Sequence, residues 1–208
     1  MRWAEDALVP EAKTAGTSGP DAAALELAAQ IPAGSDGLMM LPYLLAERAP
    51  LWNPDIPGAI LGLRREHTRQ HMVRAALEGV CLQMRLVLDR LDDVDRVDSV
   101  RVTGGVFRAA LWREVMAAML ARPLHVVGDA EGTALGAAAL GLFALGGAPE
   151  LADAATQMAG PEAAPAAVVE PDQDLVARYD LMRGSLPALV AGLGEVAALC
   201  VPTKAGAA

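Results

Sequence analysis

Residues 99–145 constrain the fold more than any other stretch of the sequence. They alternate strand, helix, strand and helix over 99–103, 109–121, 124–127 and 132–145, with Gly104-Gly105 as the first turn. Two short strands joined through a helix do not form a hairpin. They lie parallel, and the helix crosses one face of their sheet in the right-handed sense. The class is therefore α/β, with at least part of the sheet parallel.

Upstream, a first helix spans 1–9, where Arg2 and Asp6 stand at i,i+4 and Trp3, Ala7 and Leu8 share a face. A Gly/Pro/Ser loop over 10–20 leads to a helix over 22–30, capped by Asp21 and ended before Pro32. An apolar run over 38–45 is broken by Pro42, and Pro50, Pro54 and Pro57 mark an irregular, ordered loop. A short strand follows over 59–63. Thr68 caps a long helix reaching about Leu91, with Met72, Ala76, Val80, Met84 and Val87 as its apolar stripe. Downstream, 146–170 is rich in Ala, Pro, Gly and Glu and reads as poorly structured. Helical periodicity returns at Asp172, with Leu175, Tyr179 and Met182 on one face and Gly192 and Gly194 as breakers. The expected division is a main domain over 1–148, a flexible connector over 149–170, a helix over 171–201 packed back on the main domain, and a tail over 202–208.

Of the 208 residues 53% are hydrophobic, which excludes disorder for the bulk of the chain. Only 3% are aromatic, so the core is built from Ala, Leu, Val and Met on closely packed helices. A net charge of −9 leaves no basic footprint for nucleic acid or for an anionic membrane. Residues 132–149 are uncharged and approach the length of a short membrane span. Gly136, Gly141, Gly146 and Gly147 mark them instead as a buried core helix. The N-terminus carries Arg2, Glu5 and Asp6 with no apolar run behind them, so no secretory signal is read and the expected compartment is cytoplasmic. Cys81 and Cys200 have no metal-ligand spacing and read as two reduced thiols.

Few residues are marked for chemistry. The run Val100-Arg101-Val102-Thr103 enters Gly104-Gly105 and then a helix. Glycines let a backbone approach a ligand with no Cβ in the way, and the helix start offers free N–H groups and a positive dipole end. The same pattern also serves a plain strand-to-helix turn. It lacks the Lys-Ser/Thr of a P-loop and the spaced glycines of a dinucleotide fingerprint. His67 and His71 stand at i,i+4 with no third ligand nearby, so they read as ordinary helix-start residues rather than a metal pair. His125 falls in an apolar strand and reads as a core residue. Glu47-Arg48 reads as a buried ion pair holding the Pro-rich loop or, alternatively, as a contact to a polar substrate. Nothing around Asp55 marks it as a base.

Together these residues resemble the C-terminal domain of the FGGY carbohydrate kinases, most of all the gluconokinase and xylulokinase branches. Gly58-Ala59-Ile60-Leu61-Gly62-Leu63, seven further residues, and His71-Met72-Val73-Arg74-Ala75-Ala76-Leu77-Glu78 follow the family's second signature at every constrained position. Leu41-Pro42-Tyr43-Leu44-Leu45-Ala46-Glu47-Arg48-Ala49-Pro50 resembles its Leu-Pro-Tyr-Leu…Gly-Glu-Arg-x-Pro segment. Val102-Thr103-Gly104-Gly105 with Leu111-Trp112-Arg113 resembles the adenosine motif, and Ala134-Leu135-Gly136-Ala137-Ala138 the helix that follows.

The resemblance implies an actin-like, ribonuclease-H-like ATPase fold of two domains, with ATP and sugar meeting in the cleft between them. This chain is then the nucleotide-side C-terminal domain, truncated at its N-terminal strands. The implied cofactors are ATP and Mg2+. The implied ligands are ATP or ADP and a sugar or sugar acid such as gluconate or xylulose, the latter through an N-terminal domain outside the chain. Gly104, Gly105, Gln70 and Glu66 fall on nucleotide-binding positions. Glu66 replaces a glycine, and Ala109 replaces a polar residue, so that contact is lost. No residue matches the family's catalytic base. Gly16-Thr17-Ser18 stands on the wrong side of the first helix to be the second phosphate loop. Ala46, Pro57 and Val106 are further departures. The expected activity is phosphorylation of a carbohydrate. The other reading is a non-catalytic binding or interaction domain derived from such a kinase. A remnant sheet of the strands at 59–63, 99–103 and 124–127 would expose an apolar edge and self-associate.

Overall fold

A computed structural model describes residues 2–10, 19–45, 47–127, 132–160 and 165–200. Gly16-Thr17-Ser18, Ala46 and the tail over 202–208 lie outside the described residues. So do the side chains of Arg2, Asp21 and Cys200, and with them the Arg2–Asp6 pair and the Asp21 cap.

Helix α3, Arg69–Asp92, is the axis of the fold. Thr68 caps it as expected: its backbone is extended, and its N–H donates to Nδ1 of His71 at 3.1 Å. Helices α1, Arg2–Leu8, and α2, Gly19–Ala29, strand β1, Met39–Leu41, and helix α4, Ala110–Leu120, all pack on α3. Being surrounded, α3 buries Val73, Ala75, Ala76, Leu77, Cys81 and Leu82 rather than one narrow stripe. The stripe read from the sequence runs along its flank, and Met84 is exposed. A similar correction applies to α1, in which Ala4 is buried and Leu8 half-buried, while Trp3 is exposed.

Strand β2, Ala59–Leu61, does not join the main sheet. It pairs antiparallel with β1, Met39 facing Leu61, in a separate ribbon. The apolar run 38–45, broken at Pro42, supplies the partner strand ahead of that proline. The ribbon lies against α3 because Gly79 has no side chain; a Cβ there would collide with the carbonyl oxygen of Met40.

The main sheet holds β3, Val100–Val102, β4, Leu124–Val127, and β5, Pro165–Val169, in the order β3-β4-β5. β3 and β4 are parallel, with Val100 opposite Leu124 and Val102 opposite Val126, as the βα alternation requires. β5 adds antiparallel to β4, with a bulge between Val126 and Val127. The stretch 149–170 is therefore not a connector: it holds helix α6, Leu151–Ala159, and the sheet's third strand. Helix α5, Gly132–Ala144, pairs with α6. It is not a buried core helix. Ala139 is buried, but Leu140 is 56% exposed and Phe143 42%.

Helix α7, Gln173–Cys200, runs on through Pro187, Gly192 and Gly194. Tyr179 and Leu186 are buried in the main core, and Leu175 and Met182 pack against it. That core lies among α3, α4, α7 and the sheet. It is built from Leu77, Leu82, Val115, Met119 and Leu124, with Trp112.

Candidate functional site

α3 and α4 lie side by side and run in the same direction. Leu111, at the start of α4, packs against the cluster of Val9, Ala24, Ala28 and Val73, the last in the first turns of α3. Near their other ends, Nη1 of Arg85 donates to the carbonyl oxygen of Met119 at 3.0 Å. The segments that precede the two helices, 62–68 and 103–109, therefore emerge at one end of the pair. These segments and the first turn of α3 carry all four candidate residues.

Gly104 closes β3 with a φ of +107°, a conformation that glycine adopts without strain. Gly105 opens a 3-10 turn, Gly105–Arg108. The N–H of Phe107 donates to the Gly104 carbonyl at 3.1 Å, and Nη1 of Arg113 donates to the Phe107 carbonyl at 3.3 Å. Among the described residues, chain neighbours aside, no heavy atom lies within 4 Å of a Cβ built on Gly104 or Gly105, so the backbone here faces open space among them. Gln70 is half-buried in the first turn of α3, and Glu66 is exposed in the preceding loop. Among the described residues, neither side chain makes a hydrogen bond or ion pair with the rest of the protein. No hydrogen bond joins them to Gly104 or Gly105 either. Ala109 stands at the N-cap of α4 and offers no side-chain donor.

Sequence reasoning missed the cavity next to these glycines. A space of about 300 Å3 opens at the carboxyl ends of β3 and β4, lined by Val102, Thr103, Val127, Gly132, Leu135 and Gly136. Parallel strands deliver ligands to their carboxyl ends, so the pattern of two parallel strands was the signal for it. None of the four candidate residues lines this cavity; Gly104 follows its wall at Thr103.

The signature residues are structural. Gly62 has a φ of +79°, and a Cβ there would sit 2.5 Å from the Gly37 carbonyl oxygen. Glu78 is fully buried. Its Oε1 accepts from Nε of Arg74 at 2.7 Å, from the Tyr179 hydroxyl at 2.9 Å and from the Gly34 N–H at 2.9 Å. Its Oε2 accepts from the Ser35 hydroxyl at 2.9 Å. Nη2 of Arg74 also donates to the Tyr179 oxygen at 3.0 Å. Burial opposes the Arg74 charge, but Glu78 and Tyr179 more than offset it and raise its pKa. Burial and the Glu78 charge push the Tyr179 phenol up. The cluster locks α7 to α3.

Glu47 is buried without an ion pair to Arg48. It instead accepts from the N–H groups of Leu51 and Asn53 at 3.4 and 3.3 Å and from Nε2 of Gln83 at 3.1 Å, so it organises the Pro-rich loop. His125 is half-buried in β4. Among the described residues no group of three or more His, Cys, Asp or Glu is placed to hold a metal ion. None of the described helices is long and apolar enough to cross a membrane.

Residues 2–145 match the family model for the FGGY family of carbohydrate kinases, C-terminal domain. The chain belongs to the FGGY family. Its fold is accordingly the actin-like α/β fold of FGGY kinases, with the mixed sheet seen here. It is 40% identical over 151 residues to a gluconokinase of Bacillus licheniformis, covering 70% of this chain and 29% of that one. The crystal structure of xylulose kinase from Rhodospirillum rubrum superposes with a TM-score of 0.74 at 30% identity, over 95% of this chain and 39% of that one. Gluconate kinase from Lactobacillus acidophilus gives a TM-score of 0.74 at 26% identity, over 94% and 38%. The chain thus spans under a third of that gluconokinase and about two fifths of those two solved kinases.

Proposed function

We propose that this chain is the nucleotide-bearing part of an ATP-dependent carbohydrate kinase. The observation that carries the reading is the convergence of Gly104-Gly105 and the Glu66–Gln70 segment at the common end of two co-directional helices. Two helix N-termini then offer positive dipole ends on one side of the molecule. Arg64, Arg65 and Arg69 add positive charge there, in a chain whose net charge is −9.

The open backbone at Gly104 and Gly105 fits the flat face of a nucleoside, and Gln70 offers an amide that both donates and accepts. Magnesium would enter with the phosphates of the nucleotide, where it neutralises charge during phosphoryl transfer. What these residues do is seat and orient the nucleotide. The proton-accepting carboxylate is assigned to no residue of this chain, and the sugar site to residues outside it. Gluconate is the first substrate to test, since a gluconokinase is 40% identical. A cytoplasmic setting suits that role.

Calorimetry with Mg-ADP tests the reading. Binding is expected in the high-micromolar to millimolar range, roughly −4 to −5 kcal/mol. Gly105→Val should abolish it in protein that still melts cooperatively. Unchanged binding in that folded variant moves the site elsewhere.

A second reading, an interaction domain, is favoured by one observation. Among the described residues β3 pairs with β4 alone, leaving its outer edge open. A groove of about 540 Å3 follows that edge, walled by Met84, Val87, Leu91, Val100, Val102 and Phe107. Open strand edges and apolar patches drive association, and a second copy of the chain is the proposed occupant. Sedimentation over a concentration series should show dimers; a monomer throughout rejects it.

A further inference from the structure

Four successive residues, Gly34, Ser35, Asp36 and Gly37, have φ values of +85°, +48°, +51° and +88°. Left-handed backbone at two non-glycine positions in a row is unfavourable and persists only where its surroundings impose it. The imposing group is the buried Glu78, which accepts the Gly34 N–H and the Ser35 hydroxyl. Gly62 closes on the Gly37 carbonyl from the other side.

The product of this turn is the placement of Asp36, whose side chain is 49% exposed. Its Oδ2 lies 3.2 Å from Nε2 of His71, and its carbonyl oxygen 3.3 Å from Nε2 of His67. The opposite ring nitrogens are already committed. Nδ1 of His71 accepts the Thr68 N–H at 3.1 Å, and Nδ1 of His67 accepts the Arg64 N–H at 2.9 Å. Each neutral ring therefore carries its proton on Nε2 and donates it to Asp36. One residue thus holds the segment 64–71 at two points, His67 beside Glu66 and His71 beside Gln70.

We propose that Asp36 is a positioning residue for nucleotide, acting through His67 and His71 to fix the presentation of Glu66 and Gln70. This rests on the nucleotide reading above. The clamp is two-pointed. The carbonyl contact to His67 survives any side-chain substitution, whereas the His71 contact needs an acceptor at residue 36. Asparagine keeps an acceptor oxygen and tolerates the left-handed backbone; alanine keeps neither.

The test is a Mg-ADP titration followed by NMR on the whole chain, with amide hydrogen exchange and urea melts on the same samples. Asp36→Ala is expected to weaken Mg-ADP binding about tenfold, the scale set by one lost hydrogen bond to a charged acceptor. It should speed exchange at the amides of 64–71 in protein that still unfolds cooperatively with an unchanged m, although alanine in left-handed backbone lowers the urea midpoint. Asp36→Asn should return affinity to within about threefold of wild type. Wild-type exchange in 64–71 of the alanine variant overturns the clamp. Faster exchange with unaltered affinity overturns the positioning role and leaves nucleotide binding standing. A wild-type chain that does not bind Mg-ADP removes the nucleotide reading and this role with it, whatever the exchange shows.

Discussion

Replacing Tyr179 with Phe removes one oxygen from the most deeply buried polar cluster of the protein, and its cost follows from the geometry. The hydroxyl donates to Glu78 at 2.9 Å and accepts from Arg74 at 3.0 Å, so both charged partners lose a bond out of reach of water. Glu78 keeps Arg74 Nε, the Gly34 N–H and the Ser35 hydroxyl, so the charges stay paired. A hydrogen bond to a charged group contributes about 1.5–3 kcal/mol, and the two losses share one atom, so the expected destabilisation is about 2–3 kcal/mol. In a chain of this size that lowers Tm by roughly 5–10 °C. Glu78→Gln should cost more, about 3–5 kcal/mol, because it strands the buried Arg74 guanidinium without its counter-charge. Urea unfolding followed by far-ultraviolet circular dichroism gives both numbers, with m unchanged if the native state is intact. The reasoning fails if Tyr179→Phe lies within about 0.5 kcal/mol of wild type, the range of an ordinary surface change. It fails equally if Glu78→Gln is no worse than Tyr179→Phe.

Gly79→Ala should destabilise by at least about 1–3 kcal/mol through overpacking, since its methyl group meets the rigid Met40 carbonyl; a thermal melt at or above that of wild type contradicts the close α3–β1 approach. Burial and the Glu47 charge push the Tyr43 phenol up to about 12, so the folded state holds this proton more tightly than the unfolded chain does. The resulting stability is present below about pH 10 and lost as pH rises from there towards 12, and Tyr43→Phe should flatten that part of a pH-dependent urea series. Against the cost of burial, Arg183 and Arg85 hold the Asp89 carboxyl below its usual range, so its contribution is present above about pH 4 and lost as pH falls below that. Arg183→Ala should lessen the acid sensitivity, and an unchanged acid limb in the melts would show that the bond to α7 carries no stability.

Several features needed only local chemistry and were legible in the sequence. Thr68 begins α3 because its extended backbone and the bond from its N–H to the His71 ring are formed within the first turn itself. The parallel pairing of β3 and β4 follows from one helix standing between two short strands. Gly104 marks the turn between them because its +107° φ suits glycine. The family signature was equally visible, although not what its residues do: the sequence has an acid at Glu78, and nothing local says that it is buried.

Tertiary structure decided the rest, wherever partners stand far apart along the chain. Pro165, Ala166 and Ala167 have weak strand preference, yet they extend β5 ahead of Val168 and Val169 because β4 offers an unpaired edge. Gly192 and Gly194 each cost a helix only about 1 kcal/mol, which packing of α7 on α4 and the core overrides. Glu47 and Arg48 are neighbours in sequence, but the loop folds so that Glu47 meets backbone N–H groups instead. The left-handed turn at Asp36 is the strongest case. Gly34, Gly37 and even Asp36 tolerate positive φ locally, but Ser35 does not favour it, and nothing local fixes the turn's place against α3. It exists because Glu78, more than forty positions away, arrives beneath it with two free acceptors. A sequence states its short-range preferences directly, whereas a buried charge takes its partners from whichever elements the folded core brings to it.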